Sequence, residues 1–190
     1  MPTFAQIDPP PDCPLGPITA GVTERGVCLL SFRPITAADG QMDDCSNRLG
    51  EPSVIGDHPL LDRLDADLAS YFAGTLTEFT VPLDTPGTVW ETRVWDALLK
   101  IPNGETASYG QIARRLGNPG GSRAVGLANG RNRVAILIPC HRVVASDGSL
   151  HGYGGGLDRK SWLLDLEHSQ GPGTERYAGG LFASRDAAAR

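Results

Sequence analysis

The stretch "VAILIPCHRVV", Val134 to Val144, ends an apolar run on Pro139 and then sets a thiol, Cys140, beside an imidazole, His141. Nucleophilic attack by sulfur is the chemistry such a pair could do. A cysteine attacks as thiolate, and an ordinary pKa of about 8.5 leaves only a small fraction ionised at neutral pH. A histidine with a carboxylate behind it supplies the missing base. Neighbours on an extended strand point to opposite faces, so the two cooperate only if the chain turns at Pro139 or a water bridges them. The competing reading is a cysteine used as filler at a strand end, since Cys is among the most buried residue types. Two features nearby favour chemistry. No acidic residue occurs between Glu105 and Asp147, whereas Arg114, Arg115, Arg123, Arg131, Arg133 and Arg142 all do. A stretch of one sign is either a phosphate-facing surface or a solvated loop of unpaired arginines. The glycines of "GYGGG", 152–156, suit close approach of the backbone to a ligand.

The elements that must position these groups are bounded by the whole chain. At 190 residues, 40% hydrophobic and 21% charged, it has the composition of an ordinary globular protein with a sizeable core. No apolar run approaches a membrane span, and "MPTFAQIDPPPDCPLG" lacks a basic region followed by an apolar one, so a cytoplasmic protein is expected. Four scattered cysteines without a CxxC pair read as free thiols in a reducing compartment. The net charge of −5 alone discourages nucleic-acid binding, but its distribution does not. Residues 1–85 hold 4 basic and 13 acidic side chains, whereas residues 86–190 hold 13 basic and 9 acidic ones.

"PLGPITAGVTERGVCLLSF" reads as a β-hairpin turning at "TERG", and polar, acidic residues 37–58 as a mobile loop. Leu60, Leu61, Leu64, Leu68 and Phe72 have helical spacing and stop at Gly74; "TLTEFTVPLD" could follow as a strand. After a linker at "TPGT", residues 85–88, Val89, Val94, Trp95, Leu98 and Leu99 share a helical face. A short helix from about Ser108 to Leu116, capped by Ser108 and ended by Gly117, precedes a second from about Gly121 to Asn129. That pair has the dimensions of a helix-turn-helix unit, a common arrangement that is weak evidence by itself. "RKSWLLDLEHS" reads as a last helix, and the Gly- and Ala-rich remainder as a loosely ordered tail.

"SYGQIA", "GNPGGSRAVGLANGRN", "IPCHRVV", "GYGGGLDRKSWLL" and Glu167 together resemble the O6-alkylguanine-DNA alkyltransferases, or methylated-DNA-protein-cysteine methyltransferases, in order and spacing over residues 88–168. "YFAGTLTEFTVPLD" is similar to the end of that family's N-terminal domain, and the whole looks most like the bacterial constitutive form. The resemblance implies an α/β, ribonuclease H-like N-terminal domain over residues 1–85. It implies a mainly α C-terminal domain with a helix-turn-helix over residues 88–168, followed by a tail at 169–190. It implies direct reversal of DNA damage: the thiolate takes the alkyl group from O6-alkylguanine, or from O4-alkylthymine, and is consumed. Cys140 then matches the acceptor, His141 the water-linked base and Glu167 the carboxylate that orients it. Asn132 matches an asparagine that braces the site, and Tyr109 a tyrosine that presses on the target phosphate and protonates the departing guanine. A target atom inside the duplex must be flipped out, and Arg123 matches the finger that fills the gap in the stack. Ser122, Ala124 and Gly126 match the small residues that let this helix enter the minor groove, where little sequence information is offered. Tyr153, Gly154, Ala135 and Lys160 match the base pocket. Some relatives carry serine in place of Gly154 and proline in place of Ala135, so a roomier pocket is expected here.

The resemblance implies no cofactor and a monomer, several copies of which could bind neighbouring stretches of DNA. Some relatives hold zinc in the N-terminal domain. Here Cys13 precedes "PLG", Val22 stands at a ligand position and His58 lies in the acidic segment, so no metal is expected. Rival readings are a damage sensor without chemistry, disfavoured by Cys140; a cysteine hydrolase, which has no use for Arg123; and a sequence-reading regulator, disfavoured by the small residues of the second helix.

Overall fold

The computed structural model describes residues 1–170, so the Gly- and Ala-rich segment beyond lies outside the described residues. The N-terminal half is built on a four-stranded sheet of order β3-β2-β1-β4, with β1 Thr3–Ile7, β2 Ile18–Thr23, β3 Gly26–Ser31 and β4 Val54–Ile55. The first three strands are antiparallel neighbours and β4 runs parallel to β1. The hairpin expected at "TERG" is present, with Thr23 paired to Gly26 around Glu24 and Arg25. Every residue of β2 and β3 is buried because the sheet is covered on both faces. On one face Phe4, Cys28 and Leu29 pack with Met42 and Cys45 of α1, Asp39–Leu49. On the other, Ile18, Ala20, Val22 and Leu30 meet Leu61, Leu64, Leu68 and Tyr71 of α2, Pro59–Phe72.

Two expectations are corrected here. Residues 37–58 are not a loop: Met42 and Cys45 give a polar segment just enough apolar surface to dock as α1, and Gly50 at φ 69° ends it. "TLTEFTVPLD" is not a strand. It touches the sheet through one bridge, Val27 to Leu83, with Val27 N donating to Pro82 O at 2.8 Å. Pro82 itself has no amide hydrogen to continue a ladder.

The C-terminal half is mainly helical: α3 Val89–Leu98, α4 Tyr109–Arg115, α5 Ser122–Gly130 and α6 Leu157–Gln170. Thr88 and Glu91 form a capping box on α3, as Ser108 and Gln111 do on α4, where Gly117 at φ 74° follows the last turn. Trp95 Nε1 donates to Ala128 O at 3.0 Å and Trp90 Nε1 to Ala124 O at 3.2 Å, which fixes α5 against α3. A two-stranded parallel sheet pairs β5, Ala107–Ser108, with β6, Val143–Val144, tying the start of α4 to the end of the Cys140 segment. One apolar cluster runs through both halves. Among the described residues no helix is long and apolar enough to cross a membrane.

Candidate active site

The apolar run ahead of Cys140 is not the strand its composition suggested. Only Val134 pairs with β3, through a bridge to Leu30, and residues 135–139 then form tight turns. Ile138 N donates to Val134 O at 3.0 Å and Leu137 N to Ala135 O at 2.8 Å. Ile136 sits at φ 69°, a left-handed backbone that a β-branched residue adopts only when its surroundings impose it. Asn132 supplies part of that constraint. Its Oδ1 accepts from Val134 N at 3.0 Å, and its Nδ2 donates to Ile138 O at 2.8 Å. Pro139 then turns the chain into a 3-10 turn, Cys140–Arg142, that carries thiol and imidazole inward together.

Cys140 is 6% exposed, and it lines a cavity of about 630 Å³. Burial pushes its thiol pKa up; the Asn132 side chain, the Lys160 charge and the Tyr153 hydroxyl pull it back. His141 has no exposed surface, and its Nε2 lies 3.0 Å from Glu167 Oε1. Burial lowers the imidazole pKa against the raising effect of Glu167, and Arg142 and Lys160 lower it further. A neutral ring donating from Nε2 leaves Nδ1 as an acceptor, and that buried Nδ1 has no hydrogen-bond partner among the described residues.

Glu167 is fully buried yet ionised. Burial would raise its pKa, but hydrogen bonds and charge from His141 and Arg142 hold it far below the usual carboxylate range. Arg142 grips it bidentately, Nε to Oε2 and Nη2 to Oε1, both at 2.8 Å. Tyr71 Oη donates to Oε1 at 2.7 Å. Arg142 was expected on a charged surface, and that is corrected: it is 8% exposed and neutralises the buried carboxylate. Arg131 and Arg133 are ion-paired as well, to Glu91 at 3.0 Å and Asp44 at 2.7 Å. Arg114, Arg115 and Arg123 are the members of the acid-free stretch that stand exposed without such pairs among the described residues, Arg123 on the first turn of α5.

Tyr153, Gly154 and Ala135 line the cavity with Cys140; Lys160, also expected there, does not line it, and its Nζ stands 6.0 Å from the Tyr153 ring centroid. Lys160 Nζ donates to Val143 O at 2.6 Å and His151 O at 3.1 Å, and burial lowers its pKa to about 8. Tyr109 Oη donates to His151 O at 3.4 Å, and its ring faces Gly126, where an added Cβ would stand 3.8 Å away. Ser122 and Ala124 flank Arg123 on the same helix. The opposite wall, unsuspected from sequence, comes from the N-terminal half: Phe32 beyond β3, and Gly40, Gln41 and Asp44 of α1. Such an arrangement can ionise a shielded thiol beside a ligand-sized cavity. Among the described residues no group of three or more His, Cys, Asp or Glu is placed to hold a metal ion.

A family model described as 6-O-methylguanine DNA methyltransferase, DNA binding domain, matches residues 89–169. The methylated-DNA–protein-cysteine methyltransferase of Mycobacterium tuberculosis is 48% identical over 161 residues, covering 85% of this chain and 92% of that protein. The chain belongs to the methylated-DNA–protein-cysteine methyltransferases. A methyltransferase of that name from Methanosarcina acetivorans is 41% identical over 162 residues, covering 83% and 96%. The crystal structure of Mycobacterium tuberculosis O6-methylguanine methyltransferase superposes with a TM-score of 0.74 at 44% identity, covering 90% of this chain and 96% of that one. The Mycobacterium tuberculosis OGT in complex with DNA gives 0.73 at 43%, covering 90% and 95%. The fold shared with these methyltransferases is a mixed sheet with helices, followed by a helical half. Cys140, His141, Arg142 and Glu167 fall inside the methyltransferase segment; Tyr71 and the α1 wall fall outside it.

Proposed function

We propose that the protein repairs alkylated duplex DNA by direct reversal, with Cys140 Sγ taking the alkyl group from O6 of a flipped-out guanine, or from O4 of an alkylated thymine. The observation that carries this reading is a buried thiol lining a ligand-sized cavity, followed in the chain by an imidazole hydrogen-bonded to a buried carboxylate. A water linking the thiol to His141 Nδ1 takes the proton, and Glu167 stabilises the imidazolium that results. The S–C bond forms as the C–O6 bond breaks, and Tyr109 gives its proton to the departing guanine. Asn132 and Lys160 favour the thiolate, as their effect on the thiol pKa indicates. The thioether left on Cys140 offers no leaving group for hydrolysis, so each molecule acts once.

Tyr153, Gly154 and Ala135 hold the base. The helix-turn-helix is α4 and α5, and α5 enters the minor groove on Ser122, Ala124 and Gly126 while Arg123 fills the vacated stack. Residues 1–85 form a ribonuclease H-like unit and 88–168 the DNA-binding and acceptor unit. The working state is a monomer, with further copies adding along DNA. Intact mass after incubation with duplex O6-methylguanine tests the reading. A single methyl gained per protein, and none by Cys140→Ala, is expected; tight binding without mass gain replaces the transferase with a damage sensor.

A further inference from the structure

We infer that Tyr71 is a positioning residue for alkyl transfer: its phenol holds Glu167 Oε1 against His141 and tempers the carboxylate's grip on the imidazole proton. The inference rests on the reading of His141 as the base for Cys140. Tyr71 has no exposed surface, and its hydroxyl donates to Glu167 Oε1 at 2.7 Å. That same oxygen receives His141 Nε2 at 3.0 Å and Arg142 Nη2 at 2.8 Å, while Oε2 receives Arg142 Nε at 2.8 Å and Gly104 N at 3.4 Å. The other donors all lie within residues 104–142, in the acceptor half. Tyr71 reaches the carboxylate from α2, 96 residues away in sequence.

Its ring is fixed independently of the hydroxyl, with centroids 5.7 Å from Phe72 and 5.3 Å from Phe79. Phenylalanine at this position therefore keeps the packing and removes the hydrogen bond. The groups around His141 are Cys140 and Arg142 from its own turn, Glu167 and Lys160 from α6, Tyr71 from α2, and Tyr153 of the glycine loop beside Cys140. A carboxylate that shares its charge with a phenol holds an imidazolium less tightly. Without the phenol His141 keeps its proton to higher pH, and a protonated imidazole cannot accept the thiol proton.

The test is the pH dependence of methyl transfer from duplex O6-methylguanine by the full chain, alongside the NMR titration of the His141 ring in unreacted protein. In Tyr71→Phe both midpoints are expected to move to higher pH, with a rate deficit of roughly 3- to 10-fold on the acid side that closes at alkaline pH. Site-specific 3-fluorotyrosine at position 71, a stronger donor with the same packing, moves both midpoints to lower pH. If Tyr71→Phe does not fold, the fluorotyrosine arm alone decides. Midpoints that stay put in a protein that takes up methyl, or a deficit equal at every pH, overturn the inference. A wild-type protein that takes up no methyl instead overturns the acceptor reading beneath it.

Discussion

Glu167 accepts hydrogen bonds from Tyr71, His141, Arg142 and Gly104 at full burial, so its charge is the electrostatic centre around which the thiol and imidazole are arranged. Replacing one partner of a buried ion pair leaves the other uncompensated. Glu167→Gln strands the Arg142 guanidinium, whose remaining partner is Ile101 O at 2.6 Å, and is expected to cost about 3–5 kcal/mol in denaturant titration. The pH dependence has a definite sign. The folded pKa of Glu167 is depressed, so its contribution is complete above the unfolded value of about 4.3 and drains as pH falls through the folded value. Unfolding free energy of the wild type should fall with pH below that point, and the slope should be shallower in Glu167→Gln; parallel slopes would refute this assignment. Cys140, His141 and Glu167 were legible in the sequence because motif order singles them out. Arg142 was misjudged, since a charge count cannot tell a guanidinium facing solvent from one folded onto a carboxylate 25 residues later.

The turn from Asn132 to Pro139 is the element that ends an apolar run by directing Cys140 inward. A short apolar run has no periodicity to separate strand from buried turn, and the left-handed Ile136 carries no glycine to announce itself. Asn132 was legible as a residue of the site, but its bonds to Val134 N and Ile138 O were not. Asn132→Ala takes the side-chain acceptor from Val134 N and leaves Ile138 O with only the Cys140 N donor, next to a strained residue, and about 1–3 kcal/mol of stability should be lost. The rate of methyl uptake should fall as well, because Ile138 O is fixed two residues before Cys140. Thermal unfolding and single-turnover rates check both effects; loss of stability with an unaltered rate would mean that the brace does not position the thiol. Helices α2 to α6 were readable from helical spacing and their bounding residues, most clearly α4, where Ser108 and Gln111 cap the first turn. Helix α1 was missed because Met42 and Cys45 alone mark its buried face.

At the scale of the molecule, the cavity exists because the two halves share one core. Leu30 N donates to Arg133 O at 2.8 Å and Ala135 N to Leu30 O at 3.0 Å, so the Cys140 turn is stitched to the edge of the N-terminal sheet. Asp44 on α1 pairs with Arg133 across the same seam. The width of the cavity is therefore set jointly by Ala135 and Gly154 on one side and by Phe32, Gly40 and Gln41 on the other. No sequence motif could show that, because the second wall is distant in the chain and chemically ordinary. With a cavity of about 630 Å³ and open space beside Gly154, wild-type protein should take benzyl and methyl groups from O6-alkylguanine duplexes at comparable rates. Ala135→Leu adds branched bulk to that wall and should slow benzyl transfer about tenfold more than methyl transfer. The ratio of the two rates is the readout, since a general loss of folded protein slows both alike. Strict methyl preference in the wild type, or equal slowing in Ala135→Leu, would place the alkyl group somewhere other than this cavity.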